Sequence, residues 1–529
     1  MAAAAARAAC QAVAAAAVVS IALLLSACAS LPTPLASQMP AVLAAGETSD
    51  TAIARAIAPV AATHPGQSGI YLLRDGREAF AARAVLASAA ERSLDVQYYI
   101  WDDDITGTLL FNALEAAAAR GVRVRLLLDD NNTKGIEARL ALLDAHPRIE
   151  VRLFNPFMVR SVRALGYLTD FARLNRRMHN KSFTVDGAAT IVGGRNIGDA
   201  YFGAAGEVLF ADLDVLAVGP VVSDVEQDFD LYWNSGSSYA LTQIVPASSA
   251  DSAAQVKRAA TVQLASPQAL AYISAIRDSA FIADLRGRRL PFEWARTRLV
   301  SDNPAKGLGQ VVASTRMMPQ LRELVGAPSR QFDLVSPYFV PGADGTSAFV
   351  SLANKGVDVR VLTNSLAATD VAAVHAGYAR RRKALLEGGV HLYELRRAWS
   401  DQAQHEQSRG GPRSGPFGSS ASSLHAKTFA IDGEQLFIGS FNFDPRSNLL
   451  NTEMGVIIDS PKLAQQLSTG MATGLPDRAY EVQLTKEGSL VWIEHKDGVV
   501  LRHTDEPDAS LWRKLQVRLL SWLPIEWLL

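Results

Sequence analysis

Cysteine is scarce in this chain, which has two in 529 residues, Cys10 and Cys28. Two thiols cannot build a disulfide framework or a cysteine-ligated zinc site, so both of those protein classes are excluded. A surplus of either charge is also absent, because 52 basic residues stand against 53 acidic residues. The chain is therefore not a strongly cationic protein that coats nucleic acid. With 49% hydrophobic and 20% charged residues, it is neither disordered nor fibrous.

The first 28 residues have the pattern of a secretory signal. Arg7 precedes an apolar run that ends at Leu25, and the small residues Ser26 and Ala27 then lead to Cys28. A positive residue, an apolar run and small residues at a cleavage site are typical of such signals. The alternative is a transmembrane anchor, since the run is just long enough to span a bilayer, although it is mostly alanine.

The segment Leu25–Cys28 resembles the lipobox of bacterial lipoproteins. This resemblance implies that residues 1–27 are removed as a signal peptide and that lipid is attached to Cys28. Ala29, rather than Asp, at the next position resembles the signal that sorts lipoproteins to the outer membrane. We therefore expect a protein of the bacterial cell envelope that faces the periplasm, with residues 28–66 as a tether rich in alanine and proline.

The rest of the chain contains a repeated pattern of strand-like, helix-like and strand-like segments. They lie at 94–100, 107–120 and 121–128, and recur at 332–339, 346–354 and 356–362. This alternation predicts mixed α/β layers, and a period of this length indicates a duplicated domain rather than a solenoid. The boundaries that we expect are a first unit at 67–235, a connector at 236–295, a second unit at 296–475 and a C-terminal extension at 476–529.

Each unit contains one short motif with the same spacing. His is followed by Lys after two residues, by Asp after seven, and by a Gly-x-x-Asn sequence that ends after seventeen. The members are His179, Lys181, Asp186 and Asn196 in the first unit and His425, Lys427, Asp432 and Asn442 in the second. A purely structural role for these histidines is the alternative, and two intact copies at matching places disfavour it.

The motif has the chemistry of a phosphate site. Alternation along a strand places His and Lys on one face, and the Asp-Gly dipeptide predicts a hairpin that brings Asn back beside His. Two facing His–Lys pairs can clamp one phosphate from both sides, because each lysine supplies positive charge. One imidazole can then attack phosphorus while the other protonates the departing alkoxide. Since lysines and amides supply the electrostatic stabilisation, we expect no metal and no other cofactor.

The duplicated motif resembles the hallmark of the phospholipase D superfamily. The stretches 93–110, 178–202 and 425–455 resemble, within that superfamily, the bacterial cardiolipin synthases of the C type. The resemblance implies an α/β fold in which two tandem mixed-sheet units form a pseudo-two-fold sandwich with the active site at their interface. It also implies that phosphatidyl transfer passes through a phosphatidyl-histidine intermediate.

The resemblance further implies roles for individual residues. The catalytic residues are His179, Lys181, Asp186, His425, Lys427 and Asp432, with Asn196 and Asn442 holding the substrate phosphate. His179 is then the nucleophile and His425 the general acid, an order that the near-equal motifs leave open. Asp214 and Glu453 follow the two motifs and are expected to orient the histidines. Solvated strand residues are the alternative for these two acids.

The function that we expect is cardiolipin synthesis from phosphatidylglycerol and a second phospholipid. Hydrolysis of phospholipids to phosphatidic acid is the alternative, because the motifs do not identify the acceptor. The near-neutral charge and the lipid anchor disfavour a periplasmic nuclease. The two intact motifs disfavour a phosphate-binding protein without activity. The expected partners are membrane phospholipids and no nucleic acid, and we expect a monomer whose two units act as an internal dimer.

The tail from Asp508 to Leu529 has large apolar residues at near-helical spacing, with basic residues between them. Such a helix suits a membrane surface, so the tail is a second candidate for membrane contact besides Cys28. Most apolar stripes of this kind face the core of their own protein, and we expect the same here.

Overall fold

The computed structural model describes residues 31–37, 43, 45–204, 212–287, 289–396, 424–496, 498–523 and 526–529. The expected signal peptide, the lipidation site at Cys28 and the sorting residue Ala29 lie outside the described residues.

The strands and helices alternate along the described chain. The strands are β1 (Ser68–Leu73), β2 (Ser93–Tyr98), β3 (Arg123–Asp129), β4 (Ile149–Phe154), β5 (Ser182–Val185), β6 (Ala189–Gly193), β7 (Asp214–Val218), β8 (Ser238–Ala240), β9 (Glu293–Ser301), β10 (Gln331–Val335), β11 (Asp358–Asn364), β12 (His391–Leu395), β13 (Thr428–Ile431), β14 (Gln435–Gly439), β15 (Met454–Asp459), β16 (Ala479–Leu484), β17 (Leu490–Lys496) and β18 (Val499–His503). The α-helices are Ala45–Thr48, Ala52–Ala61, Gly76–Ala89, Ile105–Ala119, Glu137–Asp144, Arg163–Thr169, Phe171–Leu174, Asp199–Phe202, Val221–Trp233, Leu241–Ile244, Ala250–Leu264, Pro267–Arg277, Ala280–Arg286, Met317–Val325, Gly342–Asn354, Ala372–Glu387, Pro445–Leu449, Pro461–Gly474 and Leu511–Leu520. Single 3₁₀ turns lie at Asp130–Asn132, Pro304–Leu308, Ala313–Thr315 and Glu526–Leu528.

The repeated glycines end equivalent helices in the two units. Gly121 has a φ of 100° two residues after the helix Ile105–Ala119, and Gly356 has a φ of 87° two residues after the helix Gly342–Asn354. Backbone of this left-handed kind strains residues that have a Cβ, so glycine ends both helices and directs the chain into the next strand.

The two units have the same strand order. In the first unit the sheet runs β8-β4-β3-β2-β5-β6-β7-β1, and in the second it runs β16-β12-β11-β10-β13-β14-β15. Strand β9 pairs with β1 through its first residues and with β15 along the remainder, so it joins the two sheets. Among the described strands, β2, β3 and β4 pair in parallel, as do β10, β11 and β12, whereas the motif strands return as tight antiparallel hairpins.

The two sheets pack face to face and share an apolar layer. Val215 and Ala217 of β7 belong to the same buried cluster as Ala430 of β13, Leu436 of β14 and Val456 of β15. Alternate residues of the same strands face outward into separate cores that the helices cover. The architecture is therefore the mixed α/β sandwich of two units that the resemblance implied.

The segments outside the two units are more structured than their composition predicts. Part of the expected tether forms the helices Ala45–Thr48 and Ala52–Ala61. The described part of the connector contains β8, which pairs with β4, and four helices. These helices pack on the first unit, where the ring of Tyr272 meets that of Phe80 edge-on at 5.4 Å. The C-terminal extension continues the second sheet through the pairing of β16 with β12.

The expectation that the C-terminal stripe faces the body of the protein is wrong. In the helix Leu511–Leu520, Val517 is the residue that packs inward, with Leu520 partly buried beside it. Leu511 is 84% exposed, Trp512 73% and Trp522 78%. Among the described residues, no helix combines the length and apolar character that a bilayer span requires.

Candidate active site between the two units

The two motifs meet where the units pack together. The backbone N–H of His179 donates to the carbonyl of Thr452 at 2.9 Å, and Met178 forms a parallel bridge with Thr452. The first motif is thus hydrogen-bonded to the chain that leads into β15 of the second unit. His179, Lys181, His425 and Lys427 are all buried.

His179 is held by residues of the second unit. Its Nδ1 lies 2.8 Å from Oε2 of Glu453 and 3.2 Å from the carbonyl oxygen of Ser440. Both partners accept hydrogen bonds, so the proton resides on Nδ1 and the lone pair on Nε2 is available. The hydroxyl of Ser440 donates to the same Glu453 oxygen, and the ring of Tyr99 meets the imidazole edge-on at 5.1 Å.

His425 of the second unit is held by a residue of the first unit. Its Nδ1 lies 2.6 Å from Oδ2 of Asp212, and Nζ of Lys427 lies 3.0 Å from the same nitrogen. The ring of Tyr201 meets this imidazole edge-on at 5.3 Å. Each histidine is therefore oriented by a carboxylate from the opposite unit, and neither unit contains a complete site by itself.

The expectation that Asp214 orients a histidine is wrong, and the residue in that position is Asp212. The carboxylate of Asp214 accepts from Arg83 at 2.8 Å and from the backbone N–H of Arg195 at 3.1 Å. Strand register explains the error, because Asp214 lies opposite Gly193 just as Gly455 lies opposite Gly439. Alignment of the two units on these pairs matches Asp212 with Glu453. The spacing alone does not give this match, because Asp212 and Glu453 follow Gly193 and Gly439 by different numbers of residues.

Asp186 and Asp432 do not reach the histidines and are turn residues. Both have a φ of 53° in the Asp-Gly turn, at the far end of the strand from His and Lys. Asp186 accepts from the N–H groups of Arg92 and Ser93 at 2.7 and 2.9 Å, and Asp432 binds the equivalent groups at 329–331. Their catalytic assignment is therefore corrected: each carboxylate fixes the hairpin to the start of the neighbouring strand.

The two asparagines are not equivalent. Asn196 accepts from Ile100 N–H at 3.2 Å and donates to the hydroxyl of Tyr201 at 3.0 Å, so its amide positions the tyrosine that contacts His425. Asn442 is buried, and its Oδ1 has no hydrogen-bond partner among the described residues. Phosphate contact remains a prediction for both residues.

Burial and repulsion between neighbouring cationic groups lower the pKa values of the histidines and lysines at the site. Burial lowers the pKa of His179 well below its usual value, and Lys181 and Lys427 lower it further. The pKa of His425 falls to about 3 for the same reasons, although Asp212 acts in the opposite direction. Burial lowers the pKa of Lys181 to about 7 and that of Lys427 to about 8. A buried pair of lysines with depressed pKa values gains stabilisation from an anion placed between them.

The side chains at the site do not resemble a metal centre. Each histidine has a lysine two residues away, and each Nδ1 already faces a carboxylate. In the part of the chain that the structure describes, no group of three or more His, Cys, Asp or Glu side chains is arranged to hold a metal ion.

Two α/β units that exchange carboxylates across a pair of His–Lys motifs define an enzyme of the phospholipase D type. A family profile described as "Cardiolipin synthase, PLD-like domain" matches residues 84–233 and 321–473. The chain belongs to this family.

Individual relatives agree with this assignment. The chain is 52% identical over 479 residues to the protein named "Cardiolipin synthase C" from Escherichia coli (strain K12), with 90% of this chain and 99% of that protein covered. It is 31% identical over 458 residues to an uncharacterised protein of Helicobacter pylori (strain J99 / ATCC 700824), a match that covers 85% of this chain and 88% of that protein. The crystal structure of phosphatidylserine synthase from Haemophilus influenzae Rd KW20 has a similar fold, with a TM-score of 0.56 and 13% identity. The match covers 90% of this chain and 100% of that one.

Proposed function

We propose that the chain transfers a phosphatidyl group between lipid alcohols and makes cardiolipin from phosphatidylglycerol and a second phospholipid. The observation that carries this proposal is the pair of buried histidines, each oriented by a carboxylate of the opposite unit and each beside a lysine. The similarity to the Escherichia coli protein supports the choice of lipid product.

In the first step, Nε2 of His179 attacks phosphorus and a P–N bond forms as the bond to the departing glycerol oxygen breaks. The bound phosphate anion raises the pKa of His425, which therefore enters this step as an imidazolium paired with Asp212 and gives its Nε2 proton to that oxygen. Phosphatidylglycerol thus leaves glycerol as the free alcohol. In the second step, His425 takes the proton of the head-group hydroxyl of an acceptor phosphatidylglycerol, whose oxygen attacks phosphorus and breaks the P–N bond. Phosphatidylethanolamine has no such hydroxyl, so it can serve only as the donor in the first step, with ethanolamine as the alcohol that leaves. Lys181 and Lys427 stabilise the negative charge on the phosphoryl oxygens in both steps.

The surroundings of the two histidines support this division of roles. Burial raises the pKa of Glu453 to about 7, so this carboxylate stabilises an imidazolium weakly and leaves His179 as a neutral nucleophile. Burial alone raises the pKa of Asp212, but His425, Lys427 and Arg195 outweigh it and hold the pKa below its usual value. A carboxylate that stays ionised suits the histidine that must carry a proton.

The surroundings of the second motif suit a lipid better than a nucleic acid. A cavity of about 980 Å³ lies in the second unit, and its lining includes Phe441 and Phe443 on either side of Asn442. Phe349 of the helix Gly342–Asn354 and Phe429 of β13 extend this apolar lining. The histidines and lysines of the two motifs do not line this cavity. An apolar volume of this kind can accept an acyl chain, whereas nucleic acid requires a cationic groove.

We propose that the protein acts at a membrane of the bacterial envelope, facing the periplasm, as a monomer. The N-terminal pattern supports a lipid on Cys28, with Ala29 favouring the outer membrane. Exposed Trp512 and Trp522 support contact of the C-terminal segment with the same surface, because indole rings favour the interface between lipid and water.

Product analysis tests the proposed reaction. The purified protein is incubated with phosphatidylglycerol, with and without phosphatidylethanolamine, and the products are identified by mass spectrometry. Cardiolipin supports the proposal, and phosphatidic acid alone indicates hydrolysis instead. Cleavage of DNA without turnover of lipid contradicts both. The double variant His179→Asn/His425→Asn is the control for contaminating activity, and added EDTA should leave the rate unchanged.

A further inference from the structure

Large exposed apolar side chains are concentrated in two short segments. Of the 21 that the described residues leave exposed, eleven lie between Val162 and Phe171 or between Leu511 and Trp527. The first segment, which we call the rim segment (162–171), exposes Val162, Leu165, Leu168 and Phe171, with Leu168 at 82%. The second, the tail segment (511–527), includes four leucines and three tryptophans. Patches of this kind on a folded protein indicate an interaction surface.

The rim segment is linked to the catalytic centre by a short chain of contacts. Tyr167 lies between exposed neighbours, and its hydroxyl donates to Asn131 at 3.4 Å. The amide of Asn131 in turn donates to the hydroxyl of Tyr99 at 3.4 Å, and Tyr99 contacts His179. The rim segment is therefore two side chains away from the first catalytic histidine.

Arg446 connects the chain just after the rim segment to the chain just after the tail segment. Its guanidinium donates to the side chain of Asn175 at 2.9 Å, just after the helix Phe171–Leu174 of the first unit. The same residue donates to the carbonyl of Leu528 at 3.4 Å, and its backbone N–H donates to Leu529. The charge of Arg446 also lowers the pKa of His179, which places it close to the catalytic centre. The ends of the two apolar segments are thus brought together at Arg446, near the catalytic centre.

We propose that the rim segment and the tail segment form one surface that docks on a phospholipid bilayer around the entrance of the active site. The phospholipid then enters directly from the leaflet, an inference that rests on the proposed lipid substrate. The acidic side chains of the two segments are paired, Asp170 with Arg173 at 2.6 Å and Glu526 with Arg381 at 3.0 Å. The exposed part of the tail segment carries Arg518 between Leu515 and Leu519. Leucines and tryptophans with interspersed cations are typical of a helix that lies at the surface of a membrane with anionic head groups.

Hydrogen exchange with the full-length protein tests the location of the surface. Vesicles of phosphatidylglycerol and phosphatidylethanolamine should protect the peptides that cover 162–171 and 511–523. The peptide around Val262, which is 74% exposed on a connector helix, should exchange as before and serves as the internal control. Protection of the tail segment alone overturns the proposal, and so does the absence of protection in both segments, which points to a protein partner instead.

Kinetics with two kinds of substrate test the role of the surface in catalysis. Leu168→Asp, and separately Leu168→Ser, should reduce the rate on vesicles about tenfold or more, with an unchanged rate on a dissolved short-chain phosphodiester. Val262→Asp and Leu231→Asp are matched controls, since both replace exposed apolar residues that belong to neither the rim segment nor the tail segment. Equal losses on both substrates, or equal losses in the controls, contradict the proposal. Failure of the wild-type protein to form cardiolipin, with protection intact, refutes the proposed function and leaves the docking surface standing.

Discussion

The two catalytic motifs have identical spacing, yet the carboxylates that orient their histidines differ in length and environment. His179 faces Glu453, which also accepts from the hydroxyl of Ser440. His425 faces Asp212, and the residue that corresponds to Ser440 is Gly194. A Cβ on Gly194 would lie 2.2 Å from an oxygen of Asp212, so the shorter acid occupies the space that the serine fills in the other unit.

This difference separates the two histidines electrostatically. Glu453 has its pKa raised to about 7 by burial, whereas the pKa of Asp212 is held below its usual value by the cations around it. The two units therefore share the spacing of the motif, whereas their orienting carboxylates differ in proton affinity. Such a pair suits a reaction in which one imidazole attacks phosphorus and the other transfers a proton.

Replacing the histidines is expected to give the largest effects and to separate their roles. His179→Asn and His425→Asn should each reduce lipid transfer by about a thousandfold or more, because each removes a group that acts on the reacting atoms. On a phosphodiester with a p-nitrophenol leaving group, which needs no proton, His425→Asn should still form the covalent intermediate. Intact-protein mass spectrometry should then show a trapped adduct in His425→Asn and none in His179→Asn. The opposite distribution of adducts would exchange the two roles.

The orienting carboxylates are expected to give the next largest effects, with different pH dependence. Asp212→Asn should lower kcat about a hundredfold or more, since an amide cannot stabilise the imidazolium of His425. Glu453 is protonated below a pH of about 7 and ionised above it, so kcat/KM of the wild type should fall as pH decreases through this range. Glu453→Gln should lower the rate and remove that acid limb, whereas Asp212→Asn should retain it. An acid limb that survives in Glu453→Gln contradicts this assignment.

Asp214→Asn is the matched control for Asp212→Asn, because both are buried carboxylates and Asp214 begins β7 only two residues after Asp212. Asp214 is buried against Arg83 and Arg195, so its loss should lower the free energy of unfolding by about 3 kcal/mol. The kcat of the folded fraction should stay within about threefold of the wild type. Thermal unfolding and active-site titration measure the two quantities separately.

Much of the fold could be predicted from the sequence because its signals are local. The Gly121 and Gly356 segments, the Asp-Gly turns and the two His–Lys pairs each depend on residues within a few positions of one another. The repeated pattern therefore predicted the duplicated unit and the two motifs, and the structure brings those motifs together between the units.

The rest could not be predicted because it depends on contacts between distant parts of the chain. The exchange of carboxylates joins His179 to Glu453 and His425 to Asp212, across more than two hundred residues in each case. Asp214 was the wrong choice because an acid at the start of a strand gives no indication of which neighbour it faces. The exposure of Trp512 likewise depends on whether the body of the protein offers an apolar groove, which periodicity does not reveal.

Exchanging Ser440, beside Glu453, and Gly194, beside Asp212, should reduce the reaction rate moderately. Ser440→Gly imitates the first unit and removes a donor to Glu453, so the pKa of that carboxylate should rise and the rate should fall about tenfold. Gly194→Ser imitates the second unit, but its side chain collides with Asp212 and should displace it from His425. We therefore expect a larger loss for Gly194→Ser, with Gly194→Ala as the control for steric effects alone. Equal small losses would mean that the two environments are interchangeable.

The turn aspartates are expected to show the smallest difference, and it should affect stability rather than catalysis. Asp186→Asn and Asp432→Asn keep a side chain that tolerates the left-handed φ of 53° but remove a charged acceptor of backbone N–H groups. Asp186 is fully buried, so its replacement should lower the free energy of unfolding by about 2 kcal/mol, and that of the half-buried Asp432 by about 1 kcal/mol. The N–H groups at 329–331 hold the pKa of Asp432 below its usual value, so this residue stabilises the folded state at neutral pH and ceases to do so as pH falls through its folded-state pKa. Denaturant titration at neutral and acidic pH measures this change, and a loss of kcat in either fully folded variant would restore the catalytic role that the geometry removes.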